Sequence, residues 1–232
     1  MTTRCILHHF PLDPASRQVR LALGEKRVVF EEVVVRYWEA DAGLDALNPS
    51  GQPPVLVVEG GDARTGKPLV LCEAGAIIGW VQDSYAAPAL LSDDPAERAE
   101  ARRLRQWFDR KFDYEVNALL LHEKMEKRLL GLGSPDMAAM RAGREALKRH
   151  FTYFEELLRD REWFAGRRLS LADFAAAAHL SVLDYFAEAP WGSYPAMRTW
   201  YMKLKSRPCF RPLLSDRQPG MAPSPHYHDL DF

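Results

Sequence analysis

The sequence predicts a small α/β domain followed by an all-helical domain. Two patterns predict this order. Short apolar or β-branched runs alternate with amphipathic segments over the first third of the chain, and the helical period then continues almost unbroken. A segment at 86–95 that contains proline and aspartate separates the two patterns and is typical of a linker. We therefore expect domains at residues 1–85 and 96–211, and a C-terminal tail at 212–232.

The first domain is expected to follow the order β-α-β-α-β-β-α. Strands are predicted where β-branched residues cluster, and turns where proline, glycine and asparagine cluster. In chain order, the predicted segments are strand 5–8, helix 16–25, strand 28–35, helix 41–47, strand 54–58, hairpin loop 60–66, strand 69–71 and helix 73–84.

The second domain is expected to contain four main helices, of which the third is the most apolar and therefore central. At the start of that helix, Ser170 fits the N-cap and Asp173 the N3 position of a capping box, while Leu169 and Phe174 fit a hydrophobic staple. We interpret this box as a structural device that starts the helix. The predicted helices are 96–130, 137–159, 172–186 and 196–207.

Charge and cysteine content narrow the class of function. The chain has 31 basic and 32 acidic residues and a net charge of -1, so no global field favours nucleic acid as a partner. No apolar run approaches the ~20 residues of a membrane helix, so membrane insertion is not expected. The three cysteines form no CxxC pair and no apolar leader is evident, which favours a reducing cytoplasm. No pattern of metal ligands is recognised.

Four motifs in order resemble the glutathione S-transferase superfamily, over roughly residues 5–210. The resemblance implies the fold of that superfamily: a thioredoxin-like domain followed by a helical-bundle domain. The motifs are PASRQVRLALGEK, NPSGQPPVL, CEAGAIIGWV and LSLADF.

Asp13 is the first departure from the family pattern. The resemblance places it where serine-type members have a hydroxyl that donates to the glutathione thiolate. An ionised carboxylate only accepts hydrogen bonds, and near a sulfur atom it raises the pKa of the thiol. We therefore interpret Asp13 as a cap of the following helix. Ser16 is the nearest alternative hydroxyl, and His8 and His9 are either a proton relay or simple strand-end residues.

Two further departures fall on the implied glutathione site. The family pattern implies a cis peptide bond before Pro54, and the residue before that bond normally donates its N–H to the ligand. Pro53 has no N–H. Beside Glu73, the family serine that holds the γ-glutamyl end is replaced by Ala74. One hydrogen bond to a charged group is worth ~1.5–3 kcal/mol, or about one to two decades of affinity.

Together the three departures indicate a vestigial glutathione site made of Asp13, Pro53, Pro54, Glu73 and Ala74. We expect no catalytic residue and no cofactor. Glutathione is a ligand only under the alternative that the chain is a transferase with an atypical site.

Two segments are predicted to recognise a protein partner. Trp38, with Arg36 and Tyr37, either packs in the core or forms an exposed interface anchor. The C-terminal end alternates apolar and acidic residues and either docks on its own domain or binds a partner; we favour docking, beside a cleft between the domains. Its residues are Tyr227, Asp229, Leu230, Asp231 and Phe232.

A third surface, a helix face with Arg98, Arg102 and Arg105, is interleaved with acidic residues. It is interpreted as solvated and salt-bridged, with an acidic partner as the alternative.

The tryptophan loop, Asp13 and the C-terminal end also resemble one branch of the superfamily. Its members are regarded as dimeric and non-enzymatic, and they bind filaments of the division protein FtsZ. This resemblance implies FtsZ and a second copy of the chain as partners, and the division site as the location. The alternatives are an atypical glutathione S-transferase and an adaptor without a ligand.

Overall fold

A computed structural model describes residues 4–62 and 65–231. The chain divides into two compact units, Met1–Pro88 and Ala89–Phe232. The division falls within the segment 86–95, but Pro95 already belongs to a helix. The predicted hairpin loop 60–66 includes two residues outside the described part of the chain.

The first unit contains a four-stranded mixed sheet of order β2-β1-β3-β4, as the thioredoxin-like prediction requires. Strand β1 pairs in parallel with β2 and antiparallel with β3, and β4 pairs antiparallel with β3. The elements are β1 (Cys5–His9), α1 (Pro14–Glu25), β2 (Glu31–Val34), α2 (Ala42–Leu47), β3 (Val55–Val58), β4 (Leu69–Cys72) and α3 (Ala74–Ser84).

Strand β2 is shorter than the predicted strand 28–35. The amide of Val28 donates to Leu23 O at 3.0 Å, so Val28 belongs to the turn that follows α1 and not to the strand. Helix α1 also begins earlier than the predicted helix 16–25, because Asp13 caps it and Pro14 occupies its first turn.

Helix α2 covers part of one face of the sheet. Its Leu44 forms a buried cluster with Val35 and Val55, and Tyr37 and Leu47 pack against that cluster. In β1 the buried and half-buried residues alternate, as in a strand with two unequal faces. The loop that contains Tyr37 is therefore anchored to the sheet through apolar contacts.

The second unit is helical. The predicted helix 96–130 is observed as one helical path from Pro95 to Leu130. Two segments of this path, Trp107–Asn117 and His122–Glu126, have the wider i→i+5 turns of a π-helix. The helices are α4 (Pro95–Gln106), α5 (Ala118–Leu121), α6 (Lys127–Leu130), α7 (Met137–Leu157), α8 (Leu171–Tyr185), α9 (Pro195–Lys205) and α10 (Arg211–Leu214).

Helix α8 is buried along its whole length, as predicted for the central helix. The predicted capping box is confirmed: Asp173 Oδ2 accepts from the amide of Ser170 at 2.9 Å. Helix α10 corrects the sequence expectation, since it occupies the start of the tail predicted at 212–232. Among the residues described, no helix combines the length and apolar character needed to cross a membrane.

Candidate functional site

The residues of the predicted glutathione site meet at one end of the sheet. His8 of β1 pairs with Val55 of β3, which pairs with Cys72 of β4. This row places the end of β1, the start of β3 and the end of β4 side by side. The loop to Asp13 follows β1, the Pro53–Pro54 pair precedes β3, and Glu73 follows β4. The strand register therefore brings these three backbone segments to the same end of the sheet.

Asp13 caps helix α1. Its carboxylate accepts from the amides of Ala15 at 3.3 Å and Ser16 at 2.7 Å. It also accepts from the Ser16 hydroxyl at 2.6 Å. The interpretation of Asp13 as a helix cap is thus confirmed, and its acceptor oxygens serve the helix N-terminus.

The Ser16 hydroxyl is not presented to solvent. Ser16 is fully buried, and its Oγ accepts the Phe10 amide at 3.3 Å while donating to Asp13. A hydroxyl engaged with two groups of its own loop is poorly placed to activate a thiol.

The peptide bond between Pro53 and Pro54 is cis, as the family resemblance implies. Pro54 is buried at the entry to β3, whereas Pro53 is half-buried. The pair therefore presents carbonyl groups and ring edges at the sheet end, and no amide hydrogen.

Glu73 and Ala74 form the third junction. Glu73 is exposed and has φ +69°, an uncommon conformation for a residue other than glycine. Its side chain makes no capping hydrogen bond to α3. Ala74 is buried and offers a methyl group where the family pattern has a hydroxyl.

Trp38 is half-buried. Its ring packs edge-to-face against buried Phe10, with centroids 5.1 Å apart, and against Tyr37 at 5.3 Å. Arg36 is exposed and forms an ion pair with Glu39 at 3.3 Å. Trp38 is thus neither fully packed in the core nor fully exposed. One side of its ring rests on the core, and part of the residue faces solvent.

His9 is buried without a hydrogen-bond partner among the described residues. Neither ring nitrogen is satisfied, and Glu32 Oε1 lies 4.0 Å from Nε2. Burial, with Arg20 and Arg17 nearby, lowers the pKa of His9 to about 3. Burial also lowers the pKa of His8, so both histidines favour the neutral form.

The C-terminal segment docks on its own helical unit. Tyr227 is fully buried, and its hydroxyl donates to Leu213 O at 3.0 Å. The Ser224 amide donates to Tyr185 O at 2.7 Å. Asp229, Leu230 and Asp231 lie exposed beyond this anchor, with Leu230 38% exposed. Phe232 lies outside the described residues.

A buried lysine holds this segment, and the sequence analysis missed it. Lys205 is fully buried, and its Nζ donates to Asp229 O at 2.6 Å and lies 3.9 Å from Asp184 Oδ2. Burial lowers the pKa of Lys205, while Asp184 opposes that shift. Lys205 follows Met197 and Tyr201 at spacings of four on the apolar face of α9, and this spacing was the available signal.

Asp184 is the buried centre of the same cluster. Its carboxylate accepts from Trp191 Nε1 at 2.8 Å and from the Tyr201 hydroxyl at 3.2 Å. His226 Nε2 of the C-terminal segment lies 2.9 Å from Asp184 Oδ1. The Asp184–Lys205 pair therefore joins α8, α9 and the tail.

The arginine-rich face of α4 is largely paired within the molecule. Arg105 contacts Asp109 at 3.3 Å, and Arg98 donates to the carbonyl of Asp93. Glu100 accepts from Arg103 and Arg161, which lower its pKa to about 2. These contacts favour the solvated, salt-bridged interpretation.

Within residues 4–62 and 65–231, no cluster of three or more His, Cys, Asp or Glu side chains is placed to hold a metal ion. All three cysteines are free thiols, and Cys5 and Cys209 are buried.

Two protein families match the chain. The glutathione S-transferase N-terminal domain matches residues 14–84, and the glutathione S-transferase C-terminal domain matches residues 120–208. The chain belongs to the glutathione S-transferase family.

Three relatives within the glutathione S-transferase fold are informative. FtsZ-localized protein A from Caulobacter vibrioides is 64% identical over 232 residues, which is all of both chains. The solved structure of FzlA from C. crescentus is 65% identical with a TM-score of 0.95, covering 99% of this chain and 100% of that one. A glutathione S-transferase structure from Rhodospirillum rubrum F11 is 42% identical with a TM-score of 0.92, covering 98% and 100%.

Proposed function

We propose that this member of the glutathione S-transferase family is a non-enzymatic protein that binds FtsZ filaments and regulates constriction. It acts in the cytoplasm at the division site. The observation that carries the proposal is the 64% identity, over its whole length, to a protein named FtsZ-localized protein A.

The sheet end supports the absence of transferase chemistry. The position of the family hydroxyl is occupied by Asp13, whose oxygens accept from the start of α1. The remaining hydroxyl nearby, on Ser16, is buried and hydrogen-bonded to its own loop. A carboxylate beside a bound thiol would disfavour the thiolate that a transferase needs.

Weak affinity for glutathione follows from the other two junctions. Pro53 cannot donate a backbone hydrogen bond to the ligand, and Ala74 has no hydroxyl group that could donate one. Pro54 and Glu73 keep the backbone path of the family without these donors. We propose that the site is vestigial.

The surface around Trp38 is the first proposed contact with the filament. A half-buried tryptophan that rests on buried Phe10 presents the solvent-facing part of its ring in a fixed orientation. Tyr37 and Arg36 flank it, and these three residue types are enriched in interface hot spots.

The second proposed contact is the end of the tail. Asp229, Leu230 and Asp231 are exposed, and Lys205 fixes the backbone of the first of them by donating to Asp229 O. A short segment held in one conformation loses less entropy on binding than a free chain end.

We further propose that the protein acts as a homodimer. A twofold dimer carries two copies of each contact surface, and a filament repeats its own surface. Two linked sites raise the effective affinity and can bridge or bend a polymer.

Co-sedimentation with polymerised FtsZ tests the proposal. The wild-type protein is expected to pellet with polymer, and Trp38→Ala is expected to remain largely in the supernatant. If the wild-type protein stays in the supernatant with polymer present, the proposed function is wrong.

Trp107→Ala is the matched control for this experiment. Trp107 is also half-buried and packed on a ring, with Tyr153 stacked at 4.9 Å, but it lies in the helical unit. It loses ring packing and also the hydrogen bond from its Nε1 to His150 Nδ1 at 3.0 Å, so circular dichroism first establishes that it is folded; it should still pellet. Equal pelleting of Trp38→Ala and wild type would remove Trp38 from the contact.

The alternative function is a glutathione S-transferase with an atypical site, favoured by the 42% identity to the Rhodospirillum rubrum enzyme structure. Isothermal titration with glutathione and an assay with a generic electrophile distinguish the two. Micromolar binding with turnover would overturn the non-enzymatic proposal.

A further inference from the structure

Strand β2 is an exposed edge strand of the sheet. It is the terminal strand in the order β2-β1-β3-β4, and all four of its residues are exposed. Val33 is 41% and Val34 59% exposed, and Val29, just before the strand, is 83% exposed. Among the residues that the structure describes, β2 thus has a strand neighbour on one side only, and three valines within it or just before it lie in solvent.

The backbone of β2 has a defined outward side. The Val35 amide donates to His9 O at 2.8 Å, so it points toward β1. Because backbone groups alternate in direction along a strand, the N–H and C=O groups of Val34 and Glu32 point away from β1. Glu32 and Val34 therefore offer donors and acceptors to a strand on the free side.

The two carboxylates of β2, Glu31 and Glu32, are paired with arginines within the molecule. Natural edge strands use charged side chains to prevent pairing with other chains. Here Glu31 accepts two hydrogen bonds from the Arg4 guanidinium, both at 2.7 Å. Glu32 accepts from Arg20 at 2.5 Å. With these carboxylates paired, the edge suits an apolar segment of low charge.

We propose that the free edge of β2 accepts an extended, apolar segment of the filament protein as an additional strand of the sheet. The proposal rests on the proposed function and identifies how the partner is held. A strand alongside β2 forms main-chain hydrogen bonds with Glu32 and Val34, and its side chains pack on the exposed valines. Trp38 follows Val34 by four residues, at most ~13 Å along the chain, so one segment can contact both.

Val34→Pro tests the backbone contribution directly. Proline removes the outward N–H of residue 34 and leaves the bonds from Val35 to β1 in place; edge strands tolerate proline where the N–H faces solvent. Co-sedimentation with FtsZ polymer is expected to weaken by about tenfold. Val34→Thr, which keeps the N–H and the branched shape, is the matched control and should pellet as wild type does.

Circular dichroism and amide exchange in β1 and β3 establish that Val34→Pro is folded. If it does not fold, Val29→Asp with Val34→Asp replaces it, because both side chains are exposed and the charges oppose an apolar strand. Either variant, when folded, is expected to show the same weakening of filament binding, by about tenfold.

Three outcomes overturn the proposal. If wild type pellets and the folded edge variants pellet equally, strand addition is wrong while the proposed function stands. If wild type does not pellet, the proposed function fails and strand addition fails with it. If Val34→Pro changes a dimer into a monomer in sedimentation velocity, the edge pairs with a second copy of this chain instead.

Discussion

A single buried imidazole shows how strongly position controls chemistry at the scale of the residue. His9 has no hydrogen-bond partner in the described chain, and its neighbours Arg17 and Arg20 add positive charge to the effect of burial. The folded protein therefore holds His9 neutral, whereas the unfolded chain protonates it near its ordinary pKa of 6.5.

This difference predicts a loss of stability in acid. Since the unfolded state binds the extra proton, the free energy of unfolding falls as the pH drops from 6.5 toward 3. From pH 7 to pH 5 the contribution of His9 is about 2 kcal/mol. Urea unfolding at both pH values should show that His9→Gln loses less stability than wild type by about this amount. Equal losses would mean that His9 is protonated in the folded state.

Restoring two donors at the sheet end should restore affinity for glutathione without restoring catalysis. Pro53→Val returns a backbone N–H, and Ala74→Ser returns a hydroxyl. Isothermal titration should show glutathione binding tightened by at least about tenfold, while turnover stays absent because Asp13 is unchanged. Ala76→Ser, on an exposed position of the same helix, is the control. Unchanged affinity in the double variant would contradict the assignment of these positions.

The sequence predicted the role of Asp13 but not the burial of its neighbour. Capping is local: an aspartate before proline and a helical period is enough to predict it. The burial of Ser16 and the isolation of His9 depend on packing between distant segments. The hydrogen bonds of the Ser16 hydroxyl to its own loop therefore could not be predicted from the sequence.

At the scale of the element, α9 explains how the tail is fixed. One face of this helix carries Met197, Tyr201 and Lys205, and the ammonium group lies 5.6 Å from the Tyr201 ring and 5.9 Å from that of Tyr227. Two aromatic rings and a backbone carbonyl group of the C-terminal segment thus surround the ammonium group of Lys205.

Lys205→Met should release this segment. Removing one member of a buried ion pair costs about 3 kcal/mol or more, because the buried Asp184 carboxyl group loses the ammonium group 3.9 Å away. Hydrogen exchange at residues 224–229 is expected to accelerate in Lys205→Met. Lys203→Met is the matched control, since Lys203 is 42% exposed and 3.9 Å from Glu162. Unchanged protection in Lys205→Met would show that the contacts of Ser224, His226 and Tyr227 hold the tail without the lysine.

Elements with local signals were predicted more closely than elements fixed by neighbours. The box at Ser170 and Asp173 gave the start of α8 to within one residue. The end of β2 depends on which residues face β1, and the wide turns at Trp107–Asn117 depend on packing against other helices. The hydrophobic periodicity of the sequence at these two places is the same as in a regular strand or α-helix, so it does not reveal them.

At the scale of the whole molecule, two units carry different parts of the proposed function. The sheet unit holds Trp38 and the edge of β2, and the helical unit holds the tail. Their order in the chain was predicted because composition and period change together near residue 90. The two proposed contact surfaces were expected from residue types, but their anchoring through Phe10 and Lys205 was not.

A homodimer predicts a mass twice that of the 26.4 kDa chain in analytical ultracentrifugation. It also predicts that filaments become cross-linked or bundled, since each dimer carries two copies of each contact surface. Mixing wild type with excess Trp38→Ala should yield dimers with one functional half, which bind without bundling. A monomeric mass at micromolar concentration would contradict the dimer.

The hydrogen bonds of Asp13 also bear on how such a scaffold changes its role over evolutionary time. Serine and aspartate are nearly equivalent helix caps, so either residue at position 13 stabilises α1 to a similar extent. Exchange of these two residues at position 13 can therefore add or remove a hydroxyl group with little change in the stability of the fold. A lineage could therefore exchange serine and aspartate at this position without passing through an unstable intermediate.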